Sequence, residues 1–221
     1  MNALEIKSFA DFHAAIEKHD GRPFIYRGVR STSYDLIPKL GRCGYDAAQM
    51  DGEEQTILRY FKDHAVPYLD FVPENDWDWL ALAQHHGLPT RLLDWTRNPL
   101  VAAYFAVERK AEGDSLVYAY HNENSIEMSK GLDPFKFSKI GKFIPRHITS
   151  RITAQAGLFT IHPNSLEPFK SPEIERLIIK HEFRGALKHT LFRYGIHRAS
   201  LFPGLDGLAE LLEWLRTEGD F

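Results

Sequence analysis

Apolar residues along this chain alternate between two spacings. At Phe9, Phe12, Ala15 and Ile16 they recur every three or four positions and line one helix face. Ser8 stands where an N-cap belongs, so a helix is predicted over residues 8–18. Gly21-Arg22-Pro23 ends it, residues 24–30 read as a strand, and Ser31-Thr32-Ser33 reads as a turn. Helical spacing returns over 53–64, with Ile57, Leu58 and Phe61 inward, and over 76–85, with Trp77, Leu80, Ala81 and Gln84. A strand is predicted over 90–95. Asn98-Pro99 then supplies a cap and a first-turn proline for a helix reaching about residue 110. That helix is apolar on nearly every side, from Leu100 to Val107, so it belongs in the middle of the fold. Further strands are predicted over 115–120, 157–162 and 176–180. Helices follow over 182–194 and 206–217, the last with Asp206 as its cap. The sum is an α+β protein, read as a single domain over residues 1–221.

Composition narrows the setting. With 43% hydrophobic and 26% charged residues, a packed core is expected rather than disorder. A net charge of −3 gives no whole-molecule attraction to nucleic acid or an anionic membrane. Cys43 has no second cysteine to pair with. The first residues lack a signal-peptide pattern, and no apolar run reaches membrane-spanning length. The expectation is a soluble cytoplasmic protein.

Four features bear on chemistry. Tyr26-Arg27-Gly28 puts a forked cation at a strand end beside a glycine, which suits a pyrophosphate or carboxylate; a structural ion pair beside a turn is the alternative. The run from Gln84 to Thr96 concentrates polar groups between buried segments. They need partners, such as Asp94 for Arg91, a backbone carbonyl for His85, or a ligand. His85 and His86 are adjacent and share no helix face, so no metal is expected there. Gln155 precedes a predicted strand, where an amide either bonds a sugar hydroxyl or caps a turn. Between Asp133 and Glu167 there is no acidic residue. Lys136, Lys139, Lys142, Arg146, His147, Arg151 and His162 fall there, with Phe135, Phe137 and Phe143 interleaved, as in a nucleic-acid-binding surface or a solvated basic loop.

Together these blocks resemble the FRG domain family. The motifs are Phe24-Ile25-Tyr26-Arg27-Gly28, the run from Gln84 to Thr96, Asn98-Pro99, Ala103-Tyr104-Phe105-Ala106, the run from Gln155 to His162, Gly195-Ile196, and the stretch from Leu201 to Ala209, within a motif-bearing span of about 8–212. The order of features also resembles ADP-ribosyltransferases of the arginine–serine–glutamate type. That resemblance implies a small, split, mainly antiparallel β core wrapped by helices. It implies NAD as substrate, no metal, a protein or nucleic acid as acceptor, and a toxin or phage-defence role in bacteria, with an antitoxin as a further partner. It assigns catalysis to Arg27, Thr96 and Gln155, and NAD binding to Tyr26, Arg27, Gly28, His85, Arg91, Asp94 and Tyr104. The transferases carry a glutamate where this chain has Gln155. A carboxylate stabilises the positive ribose of the transition state better than an amide. The second reading is a nucleotide- or nucleic-acid-binding module without turnover.

Overall fold

A computed structural model describes residues 3–123, 126, 132–145 and 150–218. Among them, seven strands form one sheet, flanked by eight α-helices. The strands are β1 (Ala3–Ile6), β2 (Phe24–Val29), β3 (Leu92–Thr96), β4 (Ser115–His121), β5 (Gly141–Phe143), β6 (Gly157–Ile161) and β7 (Ile174–Ile179). The helices are α1 (Phe9–Glu17), α2 (Ala47–Ala65), α3 (Asp76–His85), α4 (Pro99–Val107), α5 (Ser150–Ala154), α6 (Arg184–Arg193), α7 (Arg198–Leu201) and α8 (Leu205–Thr217). The strand order is β1-β7-β4-β2-β3-β6-β5, antiparallel throughout except for β1 beside β7.

Strand periodicity sorts the core between two faces. On one face, Tyr26, Val117, Ala119 and Leu177 pack under α1, α4 and α6, and Leu92, Phe159 and Ile161 pack under α3. On the other, Ile25, Leu93, Trp95, Leu116, Tyr118 and Leu158 meet Leu36 and Phe169 from loops. Helices therefore cover one side of the sheet and irregular chain covers the other. As its composition predicts, α4 buries Val101, Ala102, Ala103, Tyr104, Ala106 and Val107. Asn98 caps it through a bond to the Leu100 amide.

The sheet is uneven at its centre. β2 and β4 pair along six residues, and β3 and β6 along five, but β2 and β3 share only the pair Tyr26–Thr96. Beyond that pair the two half-sheets part.

Several local expectations need correction. Asp206 does not cap α8: Gly204 holds that position without a side-chain bond, and Asp206 lies in the first turn, where its charge suits the helix dipole. α2 starts earlier than predicted, because Asp46 and Gln49 form a capping box. β3 starts at Leu92 rather than residue 90, because the Arg91 amide is taken by the Glu54 carboxylate. β1, β5, α5 and α7 were not predicted.

Candidate functional site

A cleft of about 800 Å³ opens where the half-sheets part. β2 brings Tyr26, Arg27 and Gly28 to it, β3 brings Asp94 and Thr96, and the end of α3 brings Gln84 and His85. The α5–β6 turn adds Arg151 and Gln155. Arg27, Thr96 and Gln155, distant in sequence, thus border one cavity.

Arg27 spans the gap. Its Nη1 donates to the Asp94 carbonyl at 2.7 Å and to the Asp94 carboxylate at 3.3 Å. That carboxylate also accepts from Gln84 Nε2 at 2.9 Å, and Gln84 Oε1 accepts from Thr90 Oγ1 at 2.7 Å. A chain of bonds from Thr90 to Arg27 therefore fixes the guanidinium at the mouth of the split. The Thr96 hydroxyl is buried; it donates to the Gln155 carbonyl at 2.7 Å and accepts from the Asn98 amide at 3.0 Å. Thr96 thereby ties the start of α4 to the turn that carries Gln155. The Gln155 amide donates to the Leu201 carbonyl at 3.0 Å. Ala156, next in the chain, has φ of 47°, a left-handed conformation that costs about 1 kcal/mol for a residue with a side chain.

His85 is half-buried in the cleft wall. Burial first, then the positive charge of Arg151, push its pKa down to about 4, so it is a neutral imidazole at neutral pH. Its ring meets His86 edge to face, and no backbone carbonyl bonds it among the described residues. Arg151 lies over the Phe202 ring, and burial together with Arg198 lowers its pKa.

The cleft is strongly basic. Arg27, Arg30, Arg42, Arg109 and Arg151 line it, against the carboxylates of Asp94 and Glu108. Both carboxylates are engaged, Asp94 by Arg27 and Glu108 by Arg198. Such a surface suits a phosphorylated ligand.

Other assigned residues lie elsewhere. Arg91 does not line the cleft. It is 3% exposed and its Nε bonds Glu54, itself fully buried, at 2.6 Å, so its partner is Glu54 rather than Asp94. Local pattern gave no sign of Glu54, which sits in an otherwise polar stretch of α2. Tyr104 faces a separate, small cavity between α4, α6 and α8, beside Lys188 and Trp214, and burial raises its pKa. Gly28 borders the cleft, but its lack of a side chain is dictated by α4: a Cβ there would stand 1.8 Å from the Ala102 carbonyl oxygen. The basic segment is not one surface. Lys142 is buried and donates to the Asn122 carbonyl, Phe143 is in the core, and Phe135 and Phe137 pack against it. His162 is buried as well, while Arg146 and His147 lie outside the described residues.

Among the described residues no three side chains are grouped to hold a metal ion, and no helix is long and apolar enough to cross a membrane. No curated protein and no solved structure matches the chain. The family model of the FRG domain matches residues 22–115, which supply β2, the end of α3, β3 and Phe105 of α4 to the cleft. That span, with Tyr26-Arg27-Gly28 and the run from Gln84 to Thr96 inside it, is similar to the FRG domain family.

Proposed function

We propose that the cleft binds NAD and that the protein transfers its ADP-ribose to a macromolecule, as a cytoplasmic toxin or phage-defence protein of bacteria. The observation that carries this reading is the convergence of Arg27, Thr96 and Gln155 on one basic cleft. The volume suits a dinucleotide. Arg27 grips the pyrophosphate by exchanging its bond to Asp94 for phosphate oxygens. Thr96 positions the Gln155 turn along the ribose. In the transfer, the bond between ribose C1′ and the nicotinamide nitrogen breaks and its electron pair leaves with nicotinamide. The acceptor forms a new bond to C1′ and gives up a proton. Asp94, freed from Arg27, is the carboxylate that replaces the glutamate of the resembled transferases in stabilising the cationic ribose.

The test is incubation with labelled NAD and a cell extract, beside Arg27→Ala. Label transfer and nicotinamide release that the substitution abolishes support the reading. Absence of both, with wild type and variant alike, sinks it. One observation favours binding without turnover: the Gln155 amide is held by Leu201 and is not replaced by an acid. Tight NAD binding with no nicotinamide release selects that alternative.

A further inference from the structure

We propose that the outer part of the cleft holds a single-stranded nucleic acid, and that this strand is the acceptor; the acceptor claim rests on the transfer reading above, whereas the strand-binding claim does not.

The whole chain is at −3, yet the cleft carries more cation than one pyrophosphate needs. With Arg27 assigned to the pyrophosphate and Arg151 seated over the Phe202 ring, Arg30, Arg42 and Arg109 remain. All three are exposed, and among the described residues no carboxylate pairs with them. Two of the three are held in place from below. Buried Arg184 donates to the Arg30 carbonyl at 3.0 Å and to the Arg109 carbonyl at 2.8 Å, so one guanidinium sets the spacing of both backbones.

An aromatic surface accompanies the cations. Tyr34 lines the cleft with 42% of its surface exposed. Its hydroxyl accepts from Arg30 Nε at 3.0 Å, and the guanidinium lies 5.5 Å from the ring centre. The Tyr34 carbonyl accepts from the Tyr118 hydroxyl at 2.8 Å, which anchors the residue to β4. A fixed ring beside unpaired arginines offers stacking to a base and cations to the adjoining phosphates. An acidic protein would use the cations but not the stacking surface. A duplex buries its base faces and would not use the ring either.

The experiment titrates the protein into fluorescent single-stranded RNA and DNA of roughly 16 nucleotides, within the range of single-strand site sizes, over a salt series. Anisotropy is expected to show salt-sensitive binding. Arg42→Glu and Arg109→Glu should each weaken it and lower the salt slope by about one, and Tyr34→Ala should weaken it with the slope unchanged. Lys139→Glu, exposed outside the cleft, should leave binding as it is. Melting temperatures equal to wild type establish that the variants are folded. Failure to bind either strand, or equal loss in Lys139→Glu, overturns the strand-binding claim. In a second arm, labelled NAD is added with the same oligonucleotides and a protein extract. Nuclease-sensitive label supports the nucleic-acid acceptor, and label that resists nuclease but yields to protease overturns it. Strand binding with no label anywhere upholds the groove but overturns the acceptor claim, because the transfer reading fails on its own ground.

Discussion

Arg27 Nη1 bonds Asp94 twice, at its main-chain carbonyl and at its carboxylate, across the place where β2 and β3 part. The carbonyl bond orients the guanidinium, whereas the carboxylate competes with any anionic ligand for it. Asp94→Asn separates the two roles. The pair is partly exposed and contributes about 1 kcal/mol or less, so affinity for ADP-ribose should rise by about fivefold at most. Nicotinamide release should fall, because the carboxylate assigned to the cationic ribose is gone. Calorimetry and a nicotinamide assay read the two effects separately; unchanged affinity would show that the carboxylate does not compete.

Gly28 is required by packing. A Cβ at this position meets main-chain atoms of Ala102 and Ala106, which have no rotamer to yield with. Gly28→Ala must therefore push α4 off the sheet, at a cost of about 3 kcal/mol or more. Urea denaturation should show the loss with no ligand present; a stability equal to wild type would return Gly28 to a purely ligand-facing role.

The Arg91–Glu54 pair is buried on both sides. Glu54→Gln keeps the shape but removes the buried carboxylate that faces the Arg91 guanidinium, which costs about 3–5 kcal/mol. Because neither residue lines the cleft, affinity for ADP-ribose measured on the folded fraction should stay at the wild-type value.

His162 links pH to stability. Burial first, and the charge of Arg27 second, push its pKa from 6.5 down to about 3. Above pH 6.5 the ring is neutral in both the folded and unfolded chain, and its contribution is fully present. As pH falls from 6.5 towards 3 the unfolded chain takes up the proton and the folded one does not, so stability is lost across that window. His162→Gln should flatten this acid limb by an amount on the order of a few kcal/mol. Denaturant titrations of both proteins at pH 7 and pH 4 measure the difference, and parallel losses would exclude His162 as the source.

What the sequence reveals follows from how locally each feature is encoded. α3 runs over the predicted residues, because Asn75 caps it and apolar spacing continues to its end. α4 is legible from composition alone. β1 and β5 have four and three residues, too few to establish a period, and β5 places a lysine in the interior. Arg91 visibly needs a partner, but 37 positions separate it from Glu54, and no local pattern links them. Resemblance, not spacing, links Arg27, Thr96 and Gln155: nothing about them individually says that they meet. Arg184, which sets the backbones of Arg30 and Arg109, reads in sequence as an ordinary helical arginine.

The single residue pair between β2 and β3 has a mechanical consequence. Each half-sheet is laced by its own continuous ladder and is stiff, so compliance concentrates along the line between them. One side chain, that of Arg27, does there what a row of strand amides does elsewhere, as the fastening of a two-leaved sheet. An anion that drew Arg27 away from Asp94 would undo that fastening, so the same bond would tie the filling of the cleft to the stiffness of the sheet.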